Sequence, residues 1–151
     1  MRCNVGVNPI YLFDQHLTAE LVEIPMVIGS LKYWNWEIKS HIPEKFKLGE
    51  GHMNFLKIRL KYLKRRHEEV KKEIRRRRIN NQKSNVDLTD IPEKFLGDWE
   101  PTLDSTNIIR SRIIERILAK PKYWRYYRQY PDNTEFQILL HYLKNGELFY
   151  V

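Results

Sequence analysis

Cysteine is nearly absent from this sequence: Cys3 is the single example in 151 residues. That excludes an internal disulfide and a cysteine zinc cluster, and it points to a reducing compartment with Cys3 as a small buried residue. No run of about 18 apolar residues occurs, and nothing near the amino terminus has the apolar core of a signal peptide. The expectation is a soluble, cytoplasmic protein of a bacterial or phage-infected cell. Familiar catalytic patterns are missing as well. There is no serine, histidine and acid constellation, no glycine loop to cradle a phosphate and no spaced set of metal ligands; His16 with Glu20 is one i, i+4 pair, too little for a metal site. Acids are the minority charge. The 19 Asp and Glu stand against 27 Lys and Arg, a net charge of +8 and an isoelectric point near 9.6, a balance that suits a polyanion such as nucleic acid better than an acidic small substrate.

The length fits one domain that buries roughly two-thirds of the surface of its unfolded chain. Gly6, Asn8 and Pro9 break any helix near the start, so an irregular arm should lead into a first helix at about residue 14. Asp14 is a plausible N-cap there, and Leu17, Leu21, Ile24 and Ile28 form a core-facing stripe. His16, Glu20 and Glu23 fall at i, i+4 and i+7, so three ionisable groups share one side and at least one carboxylate should stand beside the arm. The same acids also read as ordinary solvated helix residues. Pro25 should kink or break this helix, with a continuation over 27–38. Lys32-Tyr33-Trp34-Asn35-Trp36 can stack on bases or fill the core.

Residues 41–52 read as a loop. The pentad Ile42-Pro43-Glu44-Lys45-Phe46 returns as Ile91-Pro92-Glu93-Lys94-Phe95, two similar turns rather than a repeat architecture. The clearest helix spans about 52–78, with Leu56, Leu60, Leu63, Val70 and Ile74 on one stripe. Between Lys57 and Arg78 twelve Lys or Arg accompany three Glu, either a nucleic-acid face or a solvated charge run. A polar, mobile loop follows over 79–85. A one-turn helix is expected near Thr89-Asp90-Ile91-Pro92, then Asp104-Ser105 as a cap for a helix with Ile109, Ile113 and Ile117 buried and Arg112 and Arg116 together on a neighbouring face, ended by Pro121. Residues 122–130 interleave basic and aromatic side chains, suited to phosphate contacts and stacking on unpaired bases, or to plugging the core. The tail forms one short helix through Phe136, Leu139, Leu140 and Leu143, turning at Asn145-Gly146 into an apolar end.

In order and spacing, Asp14-Gln15-His16-Leu17, Ala19-Glu20, Glu23-Ile24-Pro25, Leu48-Gly49-Glu50-Gly51-His52, Asp90-Ile91-Pro92-Glu93-Lys94-Phe95, Gly97-Asp98 and Pro121-Lys122-Tyr123-Trp124-Arg125-Tyr126-Tyr127 resemble the phage pyrimidine-dimer DNA glycosylases of the endonuclease V type. The likeness covers about 1–130, and 131–151 looks like an extension packed on the same domain. The resemblance implies an all-α, compact single-domain bundle of about three main helices with long loops and an irregular N-terminal arm. It implies excision of dimers from double-stranded DNA by a terminal amine, followed by strand cleavage at the abasic site, in a monomer that needs no metal or other cofactor. By the same resemblance Met1 bears the nucleophile, Glu23 is the catalytic carboxylate, and Arg2, Gln15, His16, Arg112, Arg116, Trp124 and Arg125 contact DNA or shape the site. Lys32 and Tyr123 join them from the two basic and aromatic segments. The sequence departs from that pattern where the family has arginines flanking the glutamate: Val22 and Met26 stand there, and Leu21 replaces a tyrosine. Two alternatives follow, the same chemistry on another damaged or modified base, or a non-catalytic basic DNA-binding protein.

Overall fold

A proline inside a helix leaves the carbonyl four residues earlier without its amide partner. In the computed structural model, which describes residues 3–80 and 84–146, helix α1 nevertheless runs unbroken over Asp14–Tyr33 with Pro25 inside it. The expected break does not occur, and other donors reach the stranded Leu21 carbonyl: His67 Nε2 at 3.1 Å and Ser84 Oγ at 3.0 Å. Burial lowers the pKa of His67, and a carbonyl can only accept, so the neutral ring carries its proton on Nε2. α1 is thereby held from outside itself.

The expected long helix over 52–78 is two helices, α2 over Glu50–Lys57 and α3 over Leu60–Arg76. The loop assigned to 41–52 accordingly ends three residues early, at Gly49. Between the helices Arg59 adopts φ −128° and bridges to Leu96 in antiparallel fashion. Gly97 makes the break possible: its N–H donates to the Ile58 carbonyl at 3.1 Å and its own carbonyl accepts from Lys61 N–H at 3.2 Å. A Cβ on Gly97 would lie 2.3 Å from the Ile58 oxygen, so only glycine allows this approach.

Helix α4 spans Leu103–Ala119 and α5 spans Asn133–Asn145, with 3-10 turns at Pro9–Tyr11 and Glu93–Phe95. The fold is all-α, with five α-helices among the described residues rather than about three. The expected caps moved by a residue or two. Thr102, not Asp104 or Ser105, caps α4 by accepting from Ser105 N–H at 3.1 Å. Asp14 is the first residue of α1 rather than its cap, which is Phe13. Leu17, Leu21, Ile24 and Leu31 of α1 are buried, as are Leu60, Leu63, Val70 and Ile74 of α3, and these two helices form the main packing pair. Ile109, Ile113 and Ile117 of α4 and Leu139 and Leu143 of α5 bury the faces expected for them, and α5 packs on α4. Both pentads end on a core phenylalanine, Phe46 beside Trp99 and Phe95 beside Trp36. Trp34 is 47% exposed beneath Lys39, so only Trp36 serves the core. The expected mobile loop and apolar end fall partly or wholly on 81–83 and 147–151, outside the described residues.

Two buried arginines tie the arm to the helices. Arg66 donates to both oxygens of Glu20, at 3.0 and 2.9 Å, and to the Val7 carbonyl at 2.5 Å. Asn4 adds its backbone N–H and its side-chain amide to the same carboxylate, at 2.9 and 3.2 Å. Burial opposes the charge on Arg66, but Glu20 more than compensates and raises its pKa. Arg77 Nε donates to Glu73, one terminal nitrogen to the Leu12 carbonyl and Asp14, and the other to the carbonyls of Pro9 and Ile10. Its plane lies 4.4 Å from the Tyr126 ring and 5.1 Å from that of Tyr127.

Two stability outcomes follow. Gly97→Ala drives a methyl into a backbone oxygen and lowers the unfolding free energy in urea by about 1–3 kcal/mol; a loss below a few tenths contradicts the close approach. Arg66→Met strands Glu20 in the interior and costs about 3–5 kcal/mol, whereas adding Glu20→Gln to it recovers part of that loss, so a double-mutant cycle is non-additive.

Candidate active site

The start of α1 anchors a strap of chain, residues 121–130, across the end of α4. Asp14 does this with its carboxylate, which accepts from Tyr127 N–H at 3.2 Å and Arg128 N–H at 2.6 Å. Those two residues have φ of 51° and 65°, a left-handed turn that non-glycine residues adopt only when held there. Gln15 clamps the preceding stretch: its Nε2 donates to the Tyr123 carbonyl at 2.8 Å and its Oε1 accepts from Arg125 N–H at 3.0 Å. The strap therefore has a fixed register on α1, and Trp124 is carried to its place over His16.

Between strap, α4, the N-terminal arm and the start of α2 lies a cleft of about 560 Å³, within the usual range for sites that take a small ligand or a single nucleotide. Cys3 and Asn4 of the arm, Gln15 and His16 of α1, and Gly49 and His52 form one side. The other side is Arg112, Arg116 and Lys120 from α4 and its cap, with Tyr123 and Trp124. Three cations and, among the described residues, no Asp or Glu line it, an arrangement that attracts phosphate and stabilises anionic leaving groups. Apolar Leu48, Ile109, Ile113 and Ala119 fill the space between the polar groups.

His16 is locked in this wall. The Phe13 N–H donates to its Nδ1 at 3.1 Å, which fixes the neutral tautomer with the proton on Nε2. Its ring stacks on Trp124 with centroids 4.5 Å apart and planes at 17°. His52 is buried too, and its pKa drops to about 4 through burial, with Arg112 among the cations that push the same way. Near neutral pH the His52 ring adds polar atoms to the cleft without adding charge.

The cleft thus brings together Gln15, His16, Arg112, Arg116, Tyr123 and Trp124 of the residues singled out in the sequence. It does not bring in Lys32, which sits in the exposed last turn of α1, about 24 Å along the axis from His16. Arg125 is exposed beside the Tyr130 ring at 5.7 Å and is not on the wall. Gln15 is engaged by backbone rather than pointing at a ligand. Met1 and Arg2 lie outside the described residues. Glu23 is half-buried, two turns beyond His16 and about 10 Å along α1. The carboxylate that meets Asn4 of the arm is Glu20, and it is already saturated by Arg66 and Asn4. The basic surplus of α3 also shrinks on inspection: Arg66 and Arg77 point inward, Arg65 pairs with Asp98 and Glu100 at 2.7 and 3.0 Å, and Lys71 holds the Ser84 carbonyl at 2.8 Å.

Sequence reasoning did not single out His52, quoted only as the end of a motif and the start of a helix, or Lys120, which precedes the proline that ends α4. His52 had a signal available, the two glycines before it that open α2. No helix among the described residues is long and apolar enough to cross a membrane. Residues 2–87 match the family model described as pyrimidine dimer DNA glycosylase, more than half of the 151 residues. The match takes in the arm, α1, α2 and α3, while the α4 and strap side of the cleft lies beyond it.

The depressed pKa of His52 makes a signed prediction. Between its ordinary value of 6.5 and about 4 the unfolded chain binds a proton that the folded protein refuses, so stability is full above that window and falls as the pH falls through it. At pH 4.5 the loss from this residue is about 2.5 kcal/mol. The stability gap between wild type and His52→Gln, measured in urea, therefore moves in favour of the variant by that amount from pH 7 to 4.5; a gap independent of pH refutes a neutral His52.

Proposed function

The chain belongs to the pyrimidine dimer DNA glycosylase family, and from that premise we propose that it excises cyclobutane pyrimidine dimers from double-stranded DNA and cuts the strand at the resulting abasic site. The α-amine of Met1 attacks the sugar C1′, and the glycosidic C–N bond breaks with its electron pair leaving on the pyrimidine. An α-amine has a pKa of about 8, so a useful fraction is neutral and nucleophilic at physiological pH. Sugar ring opening gives the protonated imine, loss of a C2′ proton follows, and the 3′ phosphate departs by β-elimination. Glu23 stabilises the cationic sugar and moves the protons. This chemistry asks for no metal or small-molecule cofactor, and the protein acts as a monomer. Residues 131–151 are an addition to the glycosylase-like 1–130.

The observation that carries this reading is the cleft lined by the cations Arg112, Arg116 and Lys120, set against the start of the helix that holds Glu23. It suits a nucleotide phosphate beside an extruded sugar, and phosphate contacts make the affinity salt-sensitive. Glu23 is half-buried rather than sealed in the core, which leaves it open to a bound substrate and supports its role. A second reading keeps the chemistry and changes the base. It is favoured by the exposed, uncharged Val22 and Met26 around Glu23, 49% and 60% exposed, and a panel of lesion duplexes separates the two.

Borohydride trapping tests the proposal on a duplex with one thymine dimer and on an abasic-site duplex. Wild type is expected to form a covalent adduct on the Met1 amine with both, while Glu23→Gln still binds DNA and loses about 10²–10⁴-fold in strand cleavage. An adduct with the abasic site alone moves the substrate to another base. Absence of adduct on either duplex overturns the enzyme reading.

A further inference from the structure

Thirty per cent of the chain is charged, yet one outward face of α1 is not. Val22, Met26, Gly29 and Tyr33 recur at steps of four, three and four, and so share that face. Val22, Met26 and Tyr33 are 49%, 60% and 78% exposed, and nothing stands within 4 Å of a Cβ placed on Gly29. From Val22 to Tyr33 the stripe is about 16 Å long. An apolar band of that length on a small basic protein marks a contact surface.

We propose that this face meets the base stack of damaged DNA, with Met26 as the wedge that enters the stack beside the lesion and Val22 packed behind it. This deepens the glycosylase reading and rests on it. The occupant is a nucleic acid because cations flank the band at both ends of α1: Arg112 and Arg116 in the cleft near its start, and Lys32 and Lys39 at its finish. A polyanion can be gripped on either side of an apolar centre, with phosphates at the ends and bases between. Extruding a nucleotide leaves a gap in the stack. An unbranched, polarisable thioether on a rigid helix fits such a gap, and apolar wedges of this kind unstack and kink the duplex. Met26 lies one turn after Glu23 and Val22 directly before it, so the wedge enters next to the carboxylate.

The test compares single-turnover cleavage of a thymine-dimer duplex with cleavage of the matching abasic-site duplex, since the abasic site has no base left to displace. For Met26→Ala the ratio of dimer to abasic-site rate is expected to fall at least about tenfold, and for Met26→Leu to stay within about threefold of wild type. A 2-aminopurine placed beside the dimer should brighten on binding wild type or Met26→Leu but not Met26→Ala. An unchanged ratio, or equal loss on both duplexes, overturns the wedge. If wild type cuts and traps neither duplex, the glycosylase reading fails, and the 2-aminopurine signal alone still decides the wedge. A protein that sediments as a dimer and becomes monomeric with Met26→Glu assigns the face to a second copy and also overturns it.

Discussion

The Arg77 guanidinium is the point on which the cleft depends. Its N–H groups reach Glu73 on α3, Asp14 on α1 and the carbonyls of Pro9, Ile10 and Leu12 in the arm, while its faces lie against Tyr126 and Tyr127 of the strap. A charge with no solvent exposure is tolerable only when paired and fully hydrogen-bonded. Asp14 and Glu73 provide the pairing, and the ends of both α1 and α3 are thereby fixed to one atom cluster. Asp14 in turn holds the left-handed turn of the strap. Arm, first helix, basic helix and aromatic strap share a single electrostatic junction, and the wall of the cleft formed by His16 and Trp124 is set by it.

α1 divides its acids between two kinds of work. Asp14 and Glu20 face inward, each matched to a buried arginine, and they define where the arm runs. Glu23 remains half-buried. The division follows from helical geometry: Glu20 stands on the side that packs against α3, and Glu23 is rotated away from it. Asn4 donates to Glu20 twice, which fixes the course of the arm against α1 at that residue.

Much of this was legible in the sequence. The apolar stripes of α1, α4 and α5 appeared as spaced, because burial of a face is decided by period. Gln15, His16, Arg112, Arg116, Tyr123 and Trp124, named from motif resemblance and composition, line one cleft. What was not legible depended on partners far away in the chain. Pro25 should have broken α1, and its remedy comes from His67 and Ser84. The break between α2 and α3 is made by Gly97, about forty residues later. Asp14 obeyed the local rule for a cap only until Arg77 and the strap claimed its carboxylate. The inward turn of Arg66 and Arg77 did leave a trace, since they fall in register with Leu63, Val70 and Ile74 on the apolar stripe of α3, where a solvated cation has no place.

The passage of α1 through Pro25 also orders events in time. Before Pro25 the helix has the local hydrogen bonds of a short segment, marginal by itself in water. Its carbonyl at Leu21 is satisfied only by His67 and Ser84, which leave the ribosome 46 and 63 residues later. During synthesis, α1 therefore lacks the contacts that make it one rigid rod until α3 and the chain beyond it have emerged. The first helix of the chain therefore matures late even though it is made first, and the strap and arm that lean on it take their final places later still.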